Sequence, residues 1–286
     1  MNFGQVLTAM VTPFDRNGQI DYGKTTDLIE HLITNGSDAL VVAGTTGESP
    51  TLSTSEKIAL FEHTVNVVAG RIPVIAGTGS NSTASSIELT KQAEAIGVDG
   101  IMLVAPYYNK PSQSGMYEHF RAIATSTQLP IMLYNIPGRS TVNMSVELVI
   151  DLARIENIVA MKEASGNLDQ ITSIISGTPD DFFVYSGDDS LTLPVLAVGG
   201  NGVVSVASHV VGNDLKQMLQ AFYAGKIQEA AKLHQKLLPI VKALFMAPNP
   251  SPVKAALRMK GLDVGDVRLP LVELTEEELE LLKKII

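Results

Sequence analysis

Lys162 is the residue whose type and placement most directly offer chemistry. It closes the apolar run Ile158-Val159-Ala160-Met161, so an amine is carried on a strand-like segment with almost no polar neighbours. Apolar surroundings disfavour the charged form of an amine, the general route to a lysine that forms Schiff bases at neutral pH. The plainer reading is a strand-end lysine that snorkels to solvent, and Lys162 alone does not choose between the two. Tyr134 closes a second run, Pro130-Ile131-Met132-Leu133, and offers either a proton-transfer hydroxyl or a lining aromatic ring. Strand alternation puts Ile158, Ala160 and Lys162 on one face and Met132 with Tyr134 on another. If both faces point inward, an amine and a phenol meet at the mouth of a barrel.

Other polar clusters follow other apolar runs. Gly44-Thr45-Thr46-Gly47 is either a tight turn or a nest of backbone N–H groups for a carboxylate, with a threonine hydroxyl for proton relay. No Gly-Lys-Ser/Thr follows it, so it is not a nucleotide P-loop, and Gly77-Thr78-Gly79 lacks the third glycine of a dinucleotide fingerprint. Arg139, in Gly138-Arg139-Ser140, is a surface charge or a fork for a second carboxylate. Asp188 and Asp189 stand without a supporting carboxylate or histidine cluster. The histidines (His31, His63, His119, His209, His234) are scattered and cysteine is absent. Neither a metal nor an organic cofactor is expected.

The elements that must carry these residues repeat. Eight short apolar runs begin at Val6, Ala39, Pro73, Gly100, Pro130, Ile158, Phe182 and Gly202, and helical patterns separate them. The runs are β-branched and nearly continuous in hydrophobicity, as strands buried on both faces should be. Leu28, Ile29, Leu32 and Ile33 form one helical stripe before Asn35-Gly36, and Ser53 with Glu56 has capping-box spacing before another. Spacing between run starts falls from 33 and 34 early to 24 and 20 late, so the last crossover must use a short helix. An α/β fold, a (β/α)8 TIM barrel over 1–224 with a C-terminal helical extension over 225–286 packed on the same domain, fits best. Pattern alone also allows an open doubly wound sheet.

At 286 residues the chain suits one such barrel. A net charge of −9 argues against nucleic acid and anionic membrane as partners, because both need clustered Lys and Arg. No apolar run approaches a membrane span, and the start, Met1-Asn2-Phe3-Gly4, lacks the features of a secretory signal. A cytoplasmic location is expected.

Six motifs in order make a resemblance that covers essentially the whole chain. They are Thr12-Pro13-Phe14, Gly44-Thr45-Thr46-Gly47-Glu48-Ser49, Pro106-Tyr107-Tyr108-Asn109-Lys110-Pro111, Tyr134-Asn135-Ile136-Pro137-Gly138-Arg139, Lys162-Glu163-Ala164-Ser165-Gly166-Asn167 and Asn249-Pro250-Ser251-Pro252-Val253-Lys254. The chain resembles the class I pyruvate-aldolase family that contains dihydrodipicolinate synthase and N-acetylneuraminate lyase. Gly138-Arg139 and Tyr107-Tyr108-Asn109 favour the synthase side over a 2-keto-acid lyase for sugar acids. The resemblance implies condensation of pyruvate with L-aspartate 4-semialdehyde, towards diaminopimelate and lysine. It assigns the Schiff base to Lys162, acid–base work to Tyr134, and a hydroxyl relay to Thr45 and to Tyr108 of a neighbouring subunit. It gives the pyruvate carboxylate to the backbone of Thr45 and Thr46, the pyruvate pocket to Gly187 and Val204, and the semialdehyde carboxylate to Arg139. It also implies a homotetramer built as a dimer of dimers, or at least a homodimer. A non-catalytic keto-acid sensor would have no use for the nucleophile.

The same resemblance bears on regulation. Ser49, Asn81 and Tyr107 match the pocket of lysine-inhibited members. Those members carry histidines where this chain has Thr54 and Lys57, and an acidic residue where it has Ser85. Weak or absent feedback by L-lysine is expected.

Overall fold

A computed structural model describes residues 2–286, and in it eight parallel strands close into one barrel. The strands are β1 (Val6–Ala9), β2 (Ala39–Val42), β3 (Val74–Gly77), β4 (Gly100–Val104), β5 (Ile131–Asn135), β6 (Ile158–Glu163), β7 (Phe183–Ser186) and β8 (Gly202–Ser205). Each pairs with its sequence neighbour, and β8 returns to β1. The open-sheet alternative is thereby removed.

Helices alternate with the strands: α1 (Tyr22–Thr34), α2 (Thr54–Val68), α3 (Thr83–Ile96), α4 (Gln113–Ala124), a single turn α5 (Pro137–Ser140), and α6 (Val146–Leu152). Then come α7 (Leu168–Gly177), α8 (Thr192–Ala197) and α9 (Ser208–Tyr223). The last crossover does use a short helix, since α8 has 6 residues. Three further helices follow: α10 (Ile227–Leu244), α11 (Ser251–Met259) and α12 (Glu276–Lys283).

Local chemistry explains the boundaries. Asp21 accepts from the N–H of Lys24 to start α1, and the buried stripe Leu28, Ile29 and Leu32 docks it. Full burial of each such side chain is worth roughly 1.5–3 kcal/mol. Ser53 and Glu56 form the expected capping box at α2. No helix among the described residues is long and apolar enough to cross a membrane.

Two cores result. The outer one lies between the strands and their helices. The inner one fills the barrel with Leu7, Val41, Ile75, Met102, Met132, Tyr134, Ala160, Tyr185 and Val204. Ile158 corrects the expected alternation, because it belongs to the outer core while Val159 packs against the inner one. The β5–β6 register shifts between Ile131 and Met132, pairing Ile131 with Ile158 and Met132 with Ala160. That irregularity re-phases β6 before the residues that matter, and Ala160 then faces inward.

Candidate active site

The ends of β5 and β6 lie side by side, with Tyr134 paired to Lys162 in register. The Lys162 amine sits 4.2 Å from the centre of the Tyr134 ring, and the two residues are 5% and 3% exposed. The snorkelling alternative for Lys162 fails on that burial. Its neighbour across β7 is Tyr185, fully buried in the inner core.

Gly187, just past β7, stands where only a glycine fits without displacing its neighbours. A Cβ on it would lie 2.7 Å from the Ala164 Cβ and 3.2 Å from the Lys162 Cε. Val204 is buried on the inner face of β8 and paired with Leu7. Both belong to the barrel wall around Lys162.

A cavity of about 260 Å3 has Thr45, Tyr134 and Arg139 in its lining, whereas Lys162, Thr46, Gly187 and Val204 are not in it. Thr45 belongs to the turn after β2, and Arg139 sits on α5, which Pro137 starts after β5. Arg139 is exposed and makes no ion pair among the described residues. The N–H groups of Thr45 and Thr46 have no backbone acceptor among the described residues, whereas those of Glu48 and Ser49 close the turn onto Thr45 and Gly44. Such a turn can bind an anion through its free amides. Thr46 is buried, and its hydroxyl accepts from Asn249 Nδ2 at 2.9 Å.

Close approach of backbones shapes the floor. A Cβ on Gly77 would stand 2.6 Å from the carbonyl oxygen of Ala43, so β3 can run tight against the residue preceding the turn only as glycine. Among the described residues, no hydrogen bond joins Thr45 to Tyr134. Tyr108 stands apart from the cavity of its own chain. It is 88% exposed on the loop after β4, in a left-handed conformation with φ 72°.

The cavity also reaches Ser49, Lys57 and Tyr107. Asn81, Thr54 and Ser85 are not in its lining. Lys57 is half-buried, and that burial pushes its ammonium pKa down.

Behind Lys162 and Tyr134 lies a polar network that the sequence alone did not point to. Glu163 and Asn135 follow Lys162 and Tyr134 and therefore face outward, under the helices. Asn135 Nδ2 donates to Glu163 Oε2 at 3.0 Å and to Asn143 Oδ1 at 2.7 Å. The N–H of Ser165 donates to Glu163 Oε1 at 2.6 Å, and the N–H of Met144 to Asn135 Oδ1 at 3.1 Å. Burial raises the Glu163 carboxyl pKa, and the donors Asn135, Ser165 and Gln170 oppose that rise. The network ties the two strand ends to the chain just beyond Arg139. Its signal in the sequence was a polar residue directly after each reactive one on a strand buried on both faces.

A model of the dihydrodipicolinate synthetase family matches residues 2–286. A Bacillus subtilis protein named 4-hydroxy-tetrahydrodipicolinate synthase is 65% identical over 279 residues, 97% of this chain and 96% of the relative. The solved dihydrodipicolinate synthase of Bacillus anthracis superposes with a TM-score of 0.98 at 62% identity, covering 100% of this chain and 98% of its own. The enzyme of Cyanidioschyzon merolae, solved with lysine bound, has a TM-score of 0.97 at 52% identity over 99% of this chain and 97% of its own.

Proposed function

The chain belongs to the dihydrodipicolinate synthetase family and is an enzyme with 4-hydroxy-tetrahydrodipicolinate synthase activity; we propose that Lys162 carries the reaction as a covalent nucleophile, with Tyr134 moving its protons. The observation that carries this reading is the buried amine of Lys162, held 4.2 Å from the centre of the ring of Tyr134, which does line the cavity.

The steps follow from these positions. The Lys162 amine adds to C2 of pyruvate, and Tyr134 protonates the carbinolamine oxygen so that water leaves and an imine remains. The protonated imine is an electron sink, so C3 of the bound pyruvate loses a proton and becomes an enamine carbon. That carbon attacks the aldehyde of L-aspartate 4-semialdehyde. The amine of the semialdehyde then adds to C2 and displaces Lys162 as the ring closes.

Binding roles divide by charge. The amides of Thr45 and Thr46 hold the pyruvate carboxylate, and the wall from Gly187 and Val204 fits its small body. The unpaired Arg139 at the cavity rim receives the carboxylate of the semialdehyde. The relay between Tyr134 and Tyr108 of a second subunit is assigned to the Thr45 hydroxyl, since Thr45 lines the same cavity as Tyr134. The 88% exposure of Tyr108, on a loop that its own chain does not cover, supports a role across an interface. A homodimer is the smallest assembly that satisfies it, and a tetramer of two such dimers is the expected form. A cytoplasmic location is proposed with it.

An assay with pyruvate and L-aspartate 4-semialdehyde, run beside N-acetylneuraminate and 2-keto-3-deoxygluconate, tests the substrate assignment. Turnover is expected with the first pair alone. Cleavage of either sugar acid at a comparable rate would contradict it.

A further inference from the structure

One motif of the sequence takes no part in the chemistry just described. Asn249-Pro250-Ser251-Pro252-Val253-Lys254 opens α11, outside the barrel, yet two of its three polar side chains reach back to the turn after β2. Asn249 donates to the Thr46 hydroxyl. Lys254 forms an ion pair with Glu48 at 2.8 Å, and the two side chains are 1% and 0% exposed. Resting on the reading that this turn seats the pyruvate carboxylate, we propose that Glu48 and Lys254 are positioning residues. Through them the C-terminal helices hold the Gly44–Gly47 turn in its substrate-binding shape.

Glu48 is the hinge of that turn. It has φ 55°, a left-handed conformation that a non-glycine residue rarely adopts. Its carboxylate is gripped on both sides, with Oε1 against Lys254 and Oε2 accepting the N–H of Arg268 at 2.8 Å. Lys254 is equally constrained. Its ammonium donates to the carbonyl of Asp266 at 2.7 Å and lies 4.3 Å from the centre of the Phe14 ring. The Arg268 guanidinium also donates to the carbonyl of Thr51 at 2.7 Å, closing the far side of the segment. Thr12, on the opposite flank, donates to the carbonyl of Gly47 at 2.7 Å.

A buried ion pair is a poor way to gain stability. Desolvation of both charges offsets most of their attraction, and an apolar pair of similar volume is often as stable or more so. What the charges add is direction. A carboxylate held by an ion pair on one oxygen and a backbone N–H on the other fixes the backbone it hangs from, which an apolar contact does not. The fixed backbone here leads directly into the amides of Thr45 and Thr46. Burial depresses the Lys254 ammonium to about 8, opposed by the Glu48 carboxylate, which fits a contact that is kept at a cost.

The test separates positioning from bulk stability. Lys254→Met leaves the Glu48 carboxylate buried and unpaired, so it is expected to lower Tm and raise KM for pyruvate together. The double variant Glu48→Gln/Lys254→Met removes the orphan charge. Its Tm is expected to return towards wild type while KM for pyruvate stays raised about 10- to 100-fold, the cost of misplacing a binding group by about an ångström. KM for the semialdehyde and kcat are expected to change by less than about threefold. Asn249→Ala cuts only the Thr46 tether and is expected to raise KM for pyruvate in the same direction without a large fall in Tm. Wild-type KM for pyruvate in the double variant or in Asn249→Ala would overturn the proposal.

Borohydride trapping of pyruvate and of its neutral amide, pyruvamide, distinguishes the two layers of the reading. The wild type is expected to capture pyruvate in strong preference, and the double variant to lose most of that preference. An undiminished preference in the double variant overturns the clamp alone. Equal capture of both compounds by the wild type overturns the carboxylate seat, and the clamp with it.

Discussion

On the proposed mechanism Lys162 is the nucleophile and Tyr134 the proton carrier, and two different variants can tell the roles apart. Tyr134→Phe keeps the ring beneath which the amine sits and removes only the hydroxyl. Pyruvate binding is expected to persist while kcat falls by roughly 10²- to 10⁴-fold, the usual contribution of a general acid–base group. Arg139→Ala should instead raise KM for the semialdehyde far more than KM for pyruvate. Steady-state kinetics with each substrate varied checks both, and near-normal turnover of the phenylalanine variant would remove Tyr134 from the mechanism. Lys162 and Tyr134 stood out in the sequence because each is a polar group closing an apolar run, whereas Arg139 stood out through its Gly138-Arg139-Ser140 motif. Glu163 and Asn135 were not, since their partners Asn143 and Gln170 come from segments whose approach only the fold determines. Ile158 was misread because a register shift between strands leaves no mark on the composition of either one.

At the scale of elements, the strand runs could be read to within a residue or two, because parallel strands buried on both faces have an unusual sequence texture. The helix after β8 was harder. Its first turns, from Ser208, hold no apolar stripe, and a non-helical residue at Val211 interrupts them. The loops at the β2 and β4 ends carry the regulatory expectation. Lys57 on α2 lines the same cavity as Ser49 and Tyr107, so it does not point away from the region where a ligand amine would have to sit. A bound lysine brings an ammonium that needs a carboxylate or an acceptor, and Lys57 presents a like charge instead. Initial rates at subsaturating pyruvate should therefore stay nearly flat as L-lysine rises through the millimolar range. Strong submillimolar inhibition that disappears in Tyr107→Ala would contradict this reading of the pocket.

Across the whole molecule, the barrel is closed at the β8–β1 seam by buried polar groups as well as by apolar packing. His209 accepts from the N–H of Val11 through Nε2 at 3.1 Å and donates from Nδ1 to the carbonyl of Val206 at 2.8 Å, so it is held as the neutral imidazole. Burial depresses its pKa from 6.5 to about 4. The unfolded chain takes up a proton below about pH 6.5 while the native protein does not, so stability falls as pH drops from 6.5 towards 4. At pH 5 this histidine should have cost on the order of 2 kcal/mol relative to pH 7. Urea unfolding at the two pH values, at matched protein concentration, should show the acid loss shrinking by about that amount in His209→Gln. An unchanged pH dependence in that variant would exclude His209 as a source.

On the proposed mechanism one particular amine among many becomes covalently bound to substrate. Among the described residues Lys162 is the one lysine within a barrel strand, with its side chain buried beside Tyr134. Incubation with pyruvate followed by borohydride reduction, then intact-mass and peptide analysis, reads this out directly. One reduced pyruvyl group per chain, mapped to Lys162 and absent in Lys162→Ala, is the result expected. An adduct mapped to another lysine, or full activity in Lys162→Ala, would contradict the account at its root.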